Sequence, residues 1–389
     1  MFRRDLNILL SNSFLLFGAR GTGKSTLVNQ LLEEFRGRTL EIDLLLPSEF
    51  QRYKTEPELL LRELEARKGL SWVLIDEVQR VPELLNVVHY HLEKSGTDLK
   101  FALTGSSARK LRRGASNLLA GRAFNYALFP LTHFELEGDF NLGTYLRFGG
   151  LPRVYALASE AEKIKFLETY ALTYIQEEIW NEHLIRDLPP FRKFLQVAAQ
   201  MNGEVLNYSK IAVDVGADDK TVKEYFNILE DTLVATLLEP YDRSVRKRQS
   251  TGSKCYFFDV GVKRAIEGSV GNKIVPGSSE YGRIFEHFLM NEIFRMNSYR
   301  QLNAQFSYLR TKDGAEVDLV IERKGMPTTL VEIKSTDRVS EGDAKTLQAF
   351  LPSFPKAQAM VLSNDSKEQK FGQVLALPWQ VGLQRLVDQ

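Results

Sequence analysis

"FLLFGARGTGKSTLV", residues 14–28, decides how the front of the chain is read. An apolar strand pattern passes through a glycine-rich turn and enters a helix. The turn fits G-x-x-x-x-G-K-S, in which Gly18, Gly21 and Gly23 let backbone N–H groups approach phosphate oxygens. Ala19, Arg20, Thr22 and Thr26 fill out the loop and the first helical turn. Lys24 is placed to reach the β- and γ-phosphates of ATP, and the Ser25 hydroxyl to ligate Mg²⁺.

A second element stands further along. "SWVLIDEVQ" (71–79) is a buried strand ending in Asp76 and Glu77. Asp76 is expected to hold magnesium through water and Glu77 to polarise the attacking water, because phosphoryl transfer is mostly positioning and charge neutralisation. A third strand, "LKFALTGSS", ends in Thr104, Gly105 and Ser106, polar groups suited to sensing a γ-phosphate.

"NLLAGRAFNYALFPLTHFEL" (117–136) resembles the AAA-type ATPases, in the clamp-loader-like pattern where a small residue and an arginine precede a strand and a Pro-Leu turn. That resemblance implies that Arg122 is an arginine finger for a neighbouring subunit; the other reading is a surface arginine. "RFGGLPRVYAL" resembles the lid turn of related signal-transduction ATPases. It implies Pro152 near adenine and Arg153 as a second sensor, or else a plain joint between two helices. A finger in trans implies a homo-oligomer, a ring or spiral and by analogy a hexamer. Arg112 and Arg113 are candidates for DNA phosphate or a subunit interface.

The middle of the chain is helical. Residues 160–182 carry apolar residues at three- and four-residue spacings, with Phe166, Tyr170, Tyr174 and Trp180 expected in a core. Pro189 and Pro190 mark a boundary. Residues 194–242 then follow the order of a winged helix-turn-helix, with Asp218 as the N-cap of its third helix. Lys220, Thr221, Lys223 and Tyr225 are expected near the exposed face of its third helix. Asp218, Asp219, Glu224 and Glu230 lie on the same helix and would repel phosphate, so a DNA reader and a subunit-contacting module both stay open. The cations Arg243, Arg246, Lys247, Arg248 and Lys254 read as a phosphate-facing hairpin or a solvated linker.

Towards the far end, Glu286 lies on an amphipathic helix, Asp318 within "EVDLVIE", and Glu332 and Lys334 within "TLVEIKS". Alternation along a strand points Glu332 and Lys334 the same way, and a hairpin brings Asp318 beside Glu332. Oxygen ligands of this kind suit Mg²⁺ or Mn²⁺, with Lys334 orienting water or stabilising phosphate charge. The set resembles the restriction-endonuclease-like PD-(D/E)xK superfamily. Val317 stands where that family has proline. The whole chain resembles bacterial and archaeal single-chain ATPases that join an AAA-type domain to such a nuclease-like domain.

The expected fold is therefore α/β in four segments. These are an AAA-type P-loop ATPase domain (1–136), a helical lid and connector (137–188), a winged helix-turn-helix (189–248) and a restriction-endonuclease-like α/β domain (249–389). Lys and Arg number 51 against 50 Asp and Glu, so only local patches could favour nucleic acid. A lone Cys255 and five scattered histidines exclude a disulfide and disfavour structural zinc. No apolar run is long enough to span a membrane, and the expected compartment is the cytoplasm. The composite expectation is an ATP-driven motor on duplex or branched DNA with a C-terminal site able to cut it. The alternative is a nucleotide-dependent assembly switch whose C-terminal domain only binds.

Overall fold

A computed structural model describes residues 2–94, 98–106, 119, 121–174, 188–242, 252–311 and 313–388. Arg112, Arg113, Trp180, Arg243, Arg246, Lys247 and Arg248, singled out from the sequence, lie outside those residues. The chain divides into two compact units. One holds Met1–Leu131 with Leu151–Arg153 and Asp231–Val234; the other holds the rest. The segments expected from the sequence as lid, winged helix and nuclease-like domain lie largely within that second unit.

In the first unit, β1 (Ser13–Phe17), β2 (Thr39–Asp43), β3 (Trp72–Asp76), β4 (Lys100–Gly105) and β5 (Ala123–Ala127) form one sheet in the order β2-β3-β4-β1-β5. Every pairing is parallel. Parallel strands are covered on both faces, which is why β1, β3 and β4 read as nearly unbroken apolar runs. Leu15, Ile42, Val73, Ile75, Phe101 and Leu103 form the buried centre of the core. Around it pack α1 (Lys24–Leu31), α2 (Pro47–Thr55), α3 (Leu59–Ala66) and α4 (Leu84–Lys94). Because β4 separates β1 from β3, the segments leaving the carboxyl ends of these three strands lie side by side. That edge is where ligands sit in open α/β sheets.

The second unit opens with α5 (His133–Leu136) and α6 (Leu142–Phe148). Past α6, Gly149 has φ +72, and a Cβ there would stand 2.0 Å from Asp259 Oδ1. Only glycine fits this turn. The next amide, Gly150 N–H, donates to Asp259 Oδ2 at 2.7 Å. After α7 (Pro152–Ala156) comes α8 (Glu160–Thr169), capped by Ser159 and Glu162 in a capping box and closed by a π-helical turn over Tyr170–Tyr174.

Pro189 and Pro190 lie within α9 (Leu188–Gln200). α10 (Tyr208–Val215) and α11 (Asp219–Asp231) follow, and then the antiparallel pair β6 (Ala235–Leu238) and β7 (Lys254–Phe257). Asp218 caps α11 by accepting from Thr221 N–H at 2.8 Å. Lys220 and Lys223 are exposed as expected, but Tyr225 is buried, its ring 5.1 Å from those of both Phe191 and Phe194. Helical periodicity puts Tyr225 on the apolar stripe with Val222 and Leu229, which overrides its polar tip.

α12 (Val260–Glu267) and α13 (Ser279–Tyr299) lead into a 6-stranded sheet. Its order is β12-β13-β11-β10-β9-β8, from β8 (Gln305–Arg310), β9 (Glu316–Glu322), β10 (Thr329–Lys334), β11 (Gln358–Ser363), β12 (Gln369–Phe371) and β13 (Val374–Pro378). β8, β9 and β10 run antiparallel in succession, while β10, β11 and β13 are parallel. α14 (Glu341–Phe350) joins β10 to β11, and α15 (Trp379–Asp388) ends the fold.

α13 is not the amphipathic helix the sequence suggests. Its polar His287, Asn291, Glu292 and Arg295 are buried as well. They are tolerated because each is paired: Phe257 O accepts from Asn291 Nδ2 at 2.9 Å and lies 2.6 Å from His287 Nε2, and Arg295 Nη2 donates to Phe258 O at 2.7 Å. Burial holds the His287 imidazole down to about 3, hence neutral. No helix among the described residues is long and apolar enough to cross a membrane.

Candidate functional sites

The loop after β1 is folded against its own strand. A Cβ on Gly18 would lie 2.3 Å from Leu128 O, so this position admits only glycine, while Gly21 and Gly23 have φ of +78 and +95. Thr22 Oγ1 donates to Ala19 O at 2.9 Å and Arg4 Nη1 donates to Thr22 O at 2.8 Å. Arg4 Nη2 reaches Phe129 O at 2.6 Å, so one guanidinium braces both the loop and the segment after β5. Lys24 Nζ donates to Gly18 O at 2.9 Å and to Ala19 O at 3.4 Å. Arg20 and Thr26 are exposed.

Ser25 Oγ donates to Asp76 Oδ2 at 2.6 Å, which joins the phosphate loop to the end of β3. Thr104 Oγ1, at the end of the intervening β4, donates to Asp76 Oδ1 and accepts from Glu77 N–H at 3.2 Å. Glu77 itself has φ +58, left-handed backbone unusual for a glutamate. Its Oε2 accepts from Gln79 Nε2 and, at 3.3 Å, from Ser106 Oγ. Gln79 also donates to Ser106 Oγ at 2.9 Å. Gln79 and Arg4 take part in these contacts without having been assigned a role from sequence, although Gln79 ends the quoted "SWVLIDEVQ".

Beside the loop lies a cavity of about 250 Å³ walled by Phe2, Arg4, Gly23, Thr26, Leu27, Gln30, Leu131 and Pro152. The mostly apolar walls suit the flat face of a purine. Pro152 lines this cavity, whereas Arg153 is exposed. Arg122 is elsewhere. Register pairs Ser13 with Ala123 and Phe17 with Ala127. At about 3.3 Å of rise per residue, Arg122 is more than about 13 Å from the phosphate-loop end of β1. It forms an ion pair with Glu93.

The acidic set of the second unit converges in part. β9 and β10 pair antiparallel with Leu319 opposite Val331, which carries Asp318 beside Glu332. Asp318 Oδ2 accepts from Ile333 N–H at 2.7 Å. Lys334 Nζ donates to Glu332 Oε1 at 2.6 Å, and Glu332 Oε2 is buried with no hydrogen-bond partner. Glu286 Oε1, from α13, accepts from Tyr256 OH at 2.7 Å. Burial, reinforced by the Asp318 charge, pushes Glu286 up to about 7 and Glu332 up to about 8; burial raises Asp318 too. The donors are the hard oxygens that Mg²⁺ or Mn²⁺ prefers. Even so, no three His, Cys, Asp or Glu side chains among the described residues stand close enough to hold a metal as placed.

One cation in this cluster departs from the sequence reading. Lys254 is not solvated but 2% exposed. It pairs with Glu316 and lies 4.0 Å from Glu286 Oε1. Two signals could have placed it: Lys254 opens the apolar run "KCYFF", and Glu316 sits two residues before Asp318, on the same strand face.

A parallel sheet with β1 between β4 and β5, a glycine-rich phosphate loop and an acidic pair ending β3 define an AAA-type ATPase domain. Residues 11–137 match the family model described as "AAA domain". Residues 139–272 and 281–381 match two models described as domains of unknown function, DUF8612 and DUF4143. The uncharacterized protein Rv2008c of Mycobacterium tuberculosis is 26% identical over 327 residues, covering 84% of this chain and 71% of its own length. The uncharacterized protein MJ1637 of Methanocaldococcus jannaschii is 23% identical over 414 residues, covering 94% and 83%. Among solved structures, the ADP form of the Aeropyrum pernix ORC2 protein matches 67% of this chain and 89% of its own, at 13% identity and a TM-score of 0.34.

Proposed function

We propose that this chain is an oligomeric, ATP-hydrolysing DNA-processing protein whose C-terminal part is a restriction-endonuclease-like domain. The observation that carries hydrolysis is the sharing of Asp76 between Ser25 and Thr104. Ser25 and Asp76 are the residues that would hold Mg²⁺, whose charge offsets that of the phosphates. Glu77, held by Gln79 and Ser106, faces the same polar edge and would orient the attacking water. Gly18 to Thr26 would cradle the phosphates, with the base against Pro152 and Arg153 reaching in from the lid.

Oligomerisation rests on Arg122. Its place at the far edge of the sheet keeps it from its own phosphates, which suits a finger offered to a neighbour. The DNA assignment rests on Glu286, Asp318, Glu332 and Lys334 occurring in order on a helix and two paired strands. The segment 189–248, with its described helices α9, α10 and α11 and strand β6, is the proposed winged helix.

The test is ATP hydrolysis with no DNA, with linear duplex and with a four-way junction, beside gels of the same DNA in Mg²⁺ and Mn²⁺. Stimulation by DNA supports the motor. The Lys254 pairing with Glu316 favours a second reading, an assembly switch whose C-terminal domain binds without cutting. Flat hydrolysis with intact DNA would select it.

A further inference from the structure

Lys254 and Tyr256 are two residues apart on β7 and so project from the same strand face. Both reach Glu286 Oε1, Tyr256 OH at 2.7 Å and Lys254 Nζ at 4.0 Å. Lys254 also pairs with Glu316, and its ammonium lies over the Tyr308 ring at 5.5 Å. On β10, which pairs with the β9 that carries Glu316, Glu332 is 5% exposed and its Oε2 has no partner. A buried carboxylate oxygen left in that condition is costly unless a cation or donor reaches it. The acids are spread around ammonium groups and do not converge as direct metal ligands would.

We infer that Lys254 is the resident cation of the acidic cluster, standing in for a divalent metal, and that its withdrawal is what admits one. This rests on the nuclease-like reading of the cluster. An ammonium offers three N–H donors to carboxylate oxygens, and Mg²⁺ or Mn²⁺ takes the same oxygens as ligands. Lys334 already holds Glu332 Oε1, so a metal arriving beside a seated Lys254 would meet two ammonium charges, and like charges at short range repel strongly at low dielectric. With Lys254 seated, Glu286 and Glu316 are engaged, and Glu332 Oε2 is the ligand left over. The cluster is then a site held closed by its own chain through the Lys254 ammonium.

The test is Mn²⁺ titration of the full chain without nucleotide, read by the electron paramagnetic resonance of free Mn²⁺. Wild type, Lys254→Met and Lys254→Arg are each compared with a partner carrying Asp318→Asn and Glu332→Gln. The partner difference removes Mn²⁺ held elsewhere. The expected result is Mn²⁺ binding in Lys254→Met at least about tenfold tighter than in wild type, dependent on Asp318 and Glu332. Lys254→Arg should match wild type. Mn²⁺ should raise the melting temperature of Lys254→Met alone. Should that variant fail to fold, Lys254→Gln carries the same comparison. Binding in wild type as tight as in the neutral variants, through Asp318 and Glu332, would overturn the role of Lys254 while leaving the metal site. Absence of binding in every protein would overturn the metal site as well.

Discussion

Glu77 holds left-handed backbone at φ +58 while its side chain is fixed by Gln79 and Ser106. Strain of this kind persists only where surrounding contacts over-determine it. Glu77→Gln keeps the shape and removes the charge, so ATP should still bind while turnover falls about 10²- to 10⁴-fold. Single-turnover hydrolysis against nucleotide binding checks this, and normal turnover would displace Glu77 from its role. Glu332 gives a prediction in pH. Its folded carboxyl, pushed up to about 8, lies above the ordinary value near 4.3, so the native state holds a proton that the unfolded state has released. Stability from that proton is full below about pH 4 and declines as pH rises to about 8, by at most about 1.4 kcal/mol per unit. Glu332→Gln lacks this loss. Thermal unfolding at pH 5, 6.5 and 8 should therefore show the variant gaining on wild type as pH rises; a constant gap would contradict the assignment.

At the scale of elements, the parallel register of β1 with β5 does what no local pattern can, placing Arg122 at the sheet edge away from Gly18. Arg122→Ala should retain nucleotide binding and lose most hydrolysis. Its exposed pair with Glu93 is worth at most about 1 kcal/mol, so stability should hardly change. The sharper check is mixing. Lys24→Ala lacks a working phosphate loop and Arg122→Ala lacks a finger, yet an interface between them has both intact. Restored hydrolysis on mixing is the expected outcome, and additive inactivity would place Arg122 outside catalysis. The strands β1, β3, β4, β9 and β10 were legible because each is a short apolar run ending in a recognisable polar group. The pairing of Lys254 with Glu316 was not, because the two come from segments distant in sequence. Alternation could link Glu316 with Asp318, but nothing local could bring β7 to them.

Across the whole chain, the order of the motifs was legible in the sequence. Residues 132–150 belong with the second unit, while Leu151–Arg153 returns to the first, a division created by contacts such as Asp259 to Gly150. Each unit nevertheless has its own apolar core, one around Val73 and Phe101, the other around Val320 and Val361. A ligand that binds only the native phosphate loop stabilises the unit that carries it, by about 2.7 kcal/mol at 100 times its dissociation constant. Trp72 is buried against Phe14 in the first unit and Trp379 packs against Phe288 in the second, so the two report separately. In variants keeping one or the other as the only tryptophan, ATP should raise the unfolding midpoint seen by Trp72 and leave that seen by Trp379 in place. Asp318→Asn should leave the ATP response of Trp72 unchanged. An equal shift at both tryptophans would instead mean that the two cores unfold as one, and that nucleotide energy reaches the acidic cluster through the fold itself.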